Sequence, residues 1–196
     1  MIMNTIDLNQ TARTDWVFDR PGNYFLYFVN RSGDYRFRIA ASRVNLTIRG
    51  IYLAGQDTHF ELRTVQEHQV PASKSDLFVK GIFFGRSQFH YRGLIKIERK
   101  AQKSDAFQKN QNLLLSEQCQ VTSRPDLEIL ADDVYCTHAS TSGRIDQEQL
   151  QYLRSRGLSP TAAQRLLMHG FIDEIAAEIK RHQPDFRFPY EKHQPD

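Results

Sequence analysis

Apolar and polar residues alternate along much of the first two-thirds of the chain. The pattern is clearest over residues 36–49, where arginine, asparagine and threonine separate the apolar positions. A period of two places every apolar side chain on one face of a β-strand. Short apolar runs follow at 51–53, 60–62, 77–79 and 94–97, and glycines punctuate them. This region is therefore predicted to form a series of short β-strands.

One motif occurs twice within the predicted strands. A basic residue, a glycine and a bulky apolar triplet stand at 49–53 and again, about thirty residues later, at 80–84. Repeats of this period without a helix between them favour stacked β-coils, which form a parallel β-helix. A β-sandwich also suits short strands joined by regular turns. The pattern alone leaves both folds open.

The periodicity becomes helical after residue 145. Asp146 is a suitable N-cap for a helix that begins at Gln147, and Gly157 stands where a helix-terminating glycine belongs. Ser159 followed by Pro160 predicts the start of a second helix. The last third is therefore predicted to contain two helices, and Pro184 ends the second.

Both predicted helices carry an apolar stripe. Leu150 and Leu153 supply it in the first helix. In the second, apolar residues recur every four positions, at Leu167, Phe171, Ile175 and Ile179. Such a face either packs on the β-structure or docks a partner. The residues alone favour packing.

Composition and charge mainly exclude classes of function. The chain has 196 residues, of which 40% are hydrophobic and 25% charged, so a packed core is expected. Its net charge of +3 is too small to indicate nucleic acid binding. We expect no membrane span, because no apolar run approaches the roughly 18 residues that a span requires. We expect no secretory signal, because residues 1–10 have no basic start followed by an apolar stretch. Two cysteines, Cys119 and Cys136, suggest reduced thiols in the cytoplasm.

One pair of residues suggests metal chemistry. Cys136 and His138 are two positions apart, which puts them on one face of a strand. A thiolate and an imidazole suit iron or zinc, although they supply only two ligands. The plainer alternative is a buried cysteine beside a hydrogen-bonded histidine, and the residues alone favour it.

Asp132 and Asp133 are adjacent, so on a strand they point to opposite faces and do not form a catalytic pair. With no nucleophile or phosphate-loop motif in the chain, we expect no enzyme activity.

A series of segments then resembles a known family. The segments match the core of SufB/SufD-type iron–sulfur cluster assembly scaffolds in order, and they are RGLIKI at 92–97, AQKSDAFQKNQNLLLS at 101–116, PDLEI at 125–129, ADDVYCTH at 131–138, GRID at 143–146 and YLRSRG at 152–157. The resemblance covers eighty to ninety residues. It implies a right-handed parallel β-helix followed by a small helical region.

The resemblance also implies partners. Members of the family work with a SufC-type ABC ATPase that docks on the C-terminal helices, and their β-helices pair end to end. The expected partners are therefore that ATPase and either a SufB-like protein or a second copy of this chain. The resemblance favours docking over packing for the helical stripe, with Leu150, Leu153, Leu167, Phe171 and Ile175 as partner-binding residues. ATP hydrolysis would belong to the partner, and any iron–sulfur cluster would be bound transiently. The alternatives are a carbohydrate-active or adhesin β-helix, or a degenerate paralogue without a cluster role.

Within the family the chain is more similar to SufD. Asn110 stands where SufB-type chains carry a cysteine, and His138 matches a histidine of SufD-type chains. The resemblance thus makes His138 the first candidate ligand and Cys136 the second. Residues 139–141 depart from the family pattern. The chain is also far shorter than ordinary members.

These expectations divide the chain into four parts. Residues 1–22 are predicted to be an extension that caps the first coil, because an uncovered coil exposes its edges. Residues 23–143 form the predicted β-helix, and residues 144–182 form the predicted helical region. Residues 183–196, in which a His-Gln-Pro-Asp segment recurs, are predicted to be a flexible tail.

Overall fold

The computed structural model describes residues 3–188 and shows a parallel β-helix followed by two helices. Its strands are β1 (Met3–Asp7), β2 (Asp15–Phe18), β3 (Gly22–Val29), β4 (Gly33–Ile39), β5 (Val44–Ala54), β6 (His59–His68), β7 (Lys74–Phe83), β8 (Gln88–Ile97), β9 (Asp105–Leu114), β10 (Gln120–Ile129) and β11 (Tyr135–Arg144). The helices are α1 (Gln147–Ser155) and α2 (Pro160–His182), and a short 3-10 turn spans Leu8–Gln10.

Successive strands alternate between two sheets. Odd-numbered strands form one sheet in the order β1-β3-β5-β7-β9-β11, and even-numbered strands form the other in the order β10-β8-β6-β4-β2. Neighbouring strands pair in parallel, as β5 does with β7 and β6 with β8. A β-sandwich is built from antiparallel sheets, so this pairing excludes it and confirms the β-helix.

The repeated motif marks the outer face of the odd-numbered sheet. Arg49 lies beside Phe78 in the strand register, and Lys80 lies beside Ile51, so the two motif copies are offset by two residues. An even offset keeps side chains on the same face of a strand. Both basic residues therefore point outward, where they meet α2.

Helix α2 covers that outer face. Its fully buried residues Met168, Ile172, Ile175 and Ile179 pack against a cluster that includes Phe25, Ile51 and Ile82. Two ion pairs fix the helix in place. Arg49 Nε lies 2.5 Å from Glu178 Oε2, and Lys80 Nζ lies 2.6 Å from Glu174 Oε2.

The helix boundaries follow the predicted signals. The Asp146 carboxylate accepts the backbone N–H of Glu148 at 2.8 Å and caps α1. The Ser159 hydroxyl accepts the N–H of Ala162 at 3.2 Å and caps α2. Gly157 has a φ of +94°, a left-handed conformation that suits glycine after a helix.

The interior of the β-helix changes along its axis from apolar side chains to a mixture with polar ones. Toward the N-terminal end it is packed with aromatic and aliphatic side chains, among them Phe28, Phe37 and Tyr52. Toward the C-terminal end it gains buried polar side chains, namely Thr64, Gln66, His68, Ser75, Gln108, Asn110 and Asn112. The polar part of the interior lies next to the candidate site described below.

The first and last described segments of the chain lie near each other. Strands β1 and β2 form the outermost coil at the N-terminal end, with Leu8 and Phe18 buried beneath it. The Phe186 ring packs edge-on against Tyr27 with centroids 5.8 Å apart. The second His-Gln-Pro-Asp segment, at 193–196, lies outside the described residues. None of the helices between residues 3 and 188 is long and apolar enough to span a membrane.

Candidate functional site

The β-helix is open at its C-terminal end, where β10 and β11 are the outermost strands. We call the inward-facing side chains of these two strands the C-terminal mouth. On β11 they continue columns that begin inside the helix, since Cys136, His138, Ser140 and Ser142 lie beside Ala106, Gln108, Asn110 and Asn112. Within residues 3–188 no further coil covers these β11 positions, so side chains that would otherwise be interior meet solvent.

His138 and Cys136 share this inner face, as their spacing predicts. His138 is exposed, whereas its register neighbour Gln108 is fully buried. Cys136 is half-buried and packs against a cluster that includes Ile97 and Ala106. Burial, and then the nearby Asp105 carboxylate, raise the pKa of the Cys136 thiol. The thiol is therefore protonated at neutral pH and must lose its proton to bind a metal.

An amide wall, formed by Gln108, Asn110 and Asn112 of β9, lies beside His138, Ser140 and Ser142 of β11, whereas Cys136 lies beside Ala106. Asn112 Nδ2 donates to Asn110 Oδ1 at 2.7 Å and to Ser142 Oγ at 3.1 Å. Both polar atoms of the Gln108 side chain are buried without a hydrogen-bond partner. The sequence carries a signal for this wall, because Gln108, Asn110 and Asn112 recur with a period of two on one strand.

The two candidate ligands do not form a metal site by themselves. Within residues 3–188, no three histidine, cysteine, aspartate or glutamate side chains gather closely enough to hold a metal ion. A complete iron or cluster site here requires further ligands from outside the described chain.

Apolar side chains surround the C-terminal mouth. Leu127 and Ile129 continue the columns of the buried Ile95 and Ile97, yet each is about two-fifths exposed. Tyr135, at the start of β11, is 66% exposed. Leu127 and Ile129 would be core in a next coil, whereas Tyr135 is on the outer face at the rim of the mouth, because its neighbour Cys136 points inward. Exposed apolar groups of this kind are typical of an interface.

The two helices form a second candidate surface. Tyr152 and Leu166 are 59% and 51% exposed, and with Leu153 and Leu167 they line a cavity of about 550 Å³ between α1 and α2. Asp146, Glu148 and Gln149 complete its lining. We call this cavity the interhelical cleft.

The structure distributes the predicted docking residues differently. Leu150, Leu153 and Leu167 are half-buried at the junction of the helices. Phe171 is half-buried, and its ring lies 4.9 Å from the Lys80 ammonium. Ile175 is fully buried against the β-helix, so its side chain offers no surface to a partner.

The most exposed apolar residues of this surface, Tyr152 and Leu166, are not among the predicted docking residues. Leu166 widens the predicted apolar stripe of α2, although it stands outside the four-residue repeat. The signal was the breadth of the apolar face of α2, because such a helix has more apolar residues than one sheet can cover.

Comparison with known proteins matches the same region. Residues 30–171 match a family described as the SufBD core domain of SUF-system iron–sulfur cluster assembly. The chain is 39% identical over 138 residues to a SufBD family iron–sulfur cluster assembly protein of Mycobacterium leprae. It is 35% identical over 135 residues to the iron–sulfur cluster assembly protein SufD of Escherichia coli.

The aligned regions cover 66% and 69% of this chain, respectively. They cover 35% of the mycobacterial protein and 32% of the Escherichia coli protein. The chain thus spans about a third of the length of these relatives.

Proposed function

The chain belongs to the SufBD family of iron–sulfur cluster assembly proteins, and we propose that it acts as a scaffold in a cluster assembly complex. It binds a SufC-type ABC ATPase through α1 and α2. It binds a SufB-like protein, or a second copy of itself, through the C-terminal mouth.

The observation that carries this proposal is the presence of two separate apolar surfaces. One surrounds the C-terminal mouth at Tyr135 and Leu127, and the other is the interhelical cleft at Tyr152 and Leu166. A scaffold needs at least two such surfaces, because it must hold one partner against another.

The cluster is cargo in this proposal. His138 and Cys136 contribute two ligands at the mouth, and the paired protein supplies the others. His138 is the first of these ligands, because it matches a histidine of SufD-type chains, and Cys136 is the second. ATP hydrolysis belongs to the partner, and the chain has no turnover of its own. We place this work in the cytoplasm, where thiols such as Cys119 stay reduced.

The ATPase contact is formed by the half-buried and exposed residues of the helical region. Leu150, Leu153 and Leu167 line the junction that the ATPase covers, and the outer edge of Phe171 extends it. Ile175 supports this surface from below by fixing α2 to the β-helix.

Two single substitutions test the two surfaces against each other. The chain is mixed with the SufC-type ATPase or with the SufB-like protein of the same organism, and each mixture is measured by size-exclusion chromatography with light scattering. Tyr152→Asp should abolish the ATPase complex and leave pairing at the mouth intact. Tyr135→Asp should do the reverse. Both side chains are largely exposed, so neither change removes core packing. Wild-type protein that binds neither partner contradicts the proposal.

A further inference from the structure

Two histidines form a pair on the outer face of the even-numbered sheet, although they are far apart in the sequence. His59 begins β6, and His90 lies near the start of the neighbouring strand β8. Stacking of the two coils brings the centres of the imidazole rings to 5.3 Å from each other, with an angle of 52° between their planes. His59 is exposed and His90 is half-buried, so an ion from solvent can reach both rings.

A neighbouring side chain holds each ring at its Nδ1 atom. His90 Nδ1 lies 2.6 Å from the Thr122 hydroxyl, and His59 Nδ1 lies 3.3 Å from Gln88 Oε1. When both Nδ1 atoms donate, each Nε2 atom carries a lone pair. Within residues 3–188, neither Nε2 atom takes part in a hydrogen bond. Histidines that bind metals are oriented by this kind of contact at their other ring nitrogen.

The separation of the rings fits a single tetrahedral ion. In a zinc site the metal–nitrogen bond is about 2.1 Å, the imidazole centre lies about 1.1 Å beyond the nitrogen, and the angle at the metal is about 109°, so two ring centres stand roughly 5.2 Å apart. The observed distance of 5.3 Å agrees with this value. The two rings therefore already have the separation that a shared zinc ion requires.

The charges near the pair suit a cation. In the strand register His90 lies beside Glu61, and the other register neighbours of the two histidines are uncharged. The arginines further along the same strands, Arg63 and Arg92, each meet a carboxylate, at 3.5 and 3.0 Å. An ion bound at the pair therefore has a carboxylate nearby that offsets part of its charge.

We propose that His59 and His90 together bind one divalent transition-metal ion through their Nε2 atoms, and that Zn²⁺ is the ion that the geometry fits. Imidazole nitrogens suit zinc and its transition-metal neighbours, whereas Mg²⁺ and Ca²⁺ prefer oxygen ligands. The described chain supplies two ligands, so water or a ligand of another molecule fills the remaining positions. This inference is independent of the proposed function, because the pair lies on the sheet opposite His138 and needs no partner protein.

The experiment follows the histidine ring signals by NMR while zinc chloride is added to the chelator-treated full chain. Loss of a signal in His59→Gln and in His90→Gln assigns the two rings. In the wild-type protein both rings should shift together with one dissociation constant. In either variant the remaining ring should bind zinc about tenfold more weakly or worse, because it has lost the second ligand. Magnesium chloride should shift neither ring.

A matched pair of threonine variants tests the support of the site. Thr122→Val keeps the shape of the side chain but removes the oxygen that holds His90, and it should weaken zinc binding about tenfold. Thr141→Val makes the same change on the outer face of β11 and should leave the dissociation constant unchanged. Two rings that shift with different dissociation constants, or that do not shift in excess zinc, overturn the inference. An equal effect of both threonine variants overturns the role of Thr122.

Discussion

Single buried side chains link the stability of the molecule to pH. His68 is fully buried and contacts the hydroxyls of Ser73 and Ser75 at 2.9 and 2.8 Å. Burial lowers its pKa from 6.5 to about 4. Below pH 6.5 the unfolded chain takes up a proton at this position and the folded chain does not, so stability falls as the pH drops from 6.5 to 4.

Linkage predicts a loss of about 2 kcal/mol between pH 7 and pH 5 from this residue. Urea unfolding at the two pH values measures it. His68→Gln should reduce the difference, whereas the exposed His59→Gln should keep the wild-type difference. An equal pH dependence in all three proteins would show that His68 does not cause it.

Replacing glycine with alanine at two positions should change the stability of the protein in opposite directions. An alanine Cβ at Gly50 would stand 2.3 Å from the Phe28 ring, whereas at Gly170 it would meet nothing within 4 Å. Gly50→Ala should therefore destabilise the protein by roughly 1–3 kcal/mol through overpacking. Gly170→Ala should stabilise it by up to about 1 kcal/mol, because alanine favours a helix interior. Thermal unfolding of both variants measures the two signs.

At the scale of elements, helix α2 is part of the β-helix rather than an appendage. Its apolar face covers Phe25, Ile51 and Ile82, so a truncation before α2 would expose this cluster to water. Substitutions are for this reason better probes of the helical region than deletions.

The ion pairs of α2 predict how it opens. Lys80 is buried and also donates to the Phe171 carbonyl at 2.7 Å, so it depends on Glu174 for charge compensation. Replacing Glu174 and Glu178 with glutamine should increase the rate of hydrogen exchange in α2. We expect the free energy of opening this helix to fall by about 1–3 kcal/mol. The strand β8, which α2 does not cover, should keep its exchange rates, and the exposed Glu61→Gln should leave both elements unchanged. Equal acceleration in α2 and β8 would show global destabilisation instead.

The sequence predicts elements better than the faces they present. The period-two pattern, the caps at Asp146 and Ser159 and the glycine at 157 are local signals, and the structure confirms the strands and helices that they predict. Which residues of α2 are buried depends on the sheet that lies against the helix. Because α2 is apolar on several sides, its own sequence does not determine which side packs on that sheet. The burial of Ile175 and the exposure of Leu166 therefore emerge only from the fold.

The candidate site was predictable to the same degree. Cys136 and His138 share a face because of their spacing, which is local information. Their place at an uncovered end of the β-helix depends on the stacking of all coils, and so does the position of Gln108 beside His138. The resemblance to a family supplied the fold that distinguishes an open end from an interior.

At the scale of the whole molecule, the protein is a β-helix that carries two proposed binding surfaces. The C-terminal mouth holds the candidate ligands and the exposed Leu127 and Ile129, and the Tyr135 ring lies at its outer rim. The interhelical cleft lies on the helical region beyond the last strand. In the proposed function, an ATPase on these helices would act on pairing at the mouth through α1, which follows β11 directly.

The most direct test of the scaffold claim is anaerobic reconstitution with iron and sulfide. The chain, the SufC-type ATPase and the SufB-like protein are combined, and cluster formation is followed by visible absorbance and by iron content per complex. The account predicts a cluster in the wild-type complex, loss of most of it with His138→Ala and no loss with the neighbouring Ser140→Ala, while the complex itself still forms. The same cluster yield with His138→Ala, or no cluster in an intact wild-type complex, would contradict the assignment of the mouth as the assembly site.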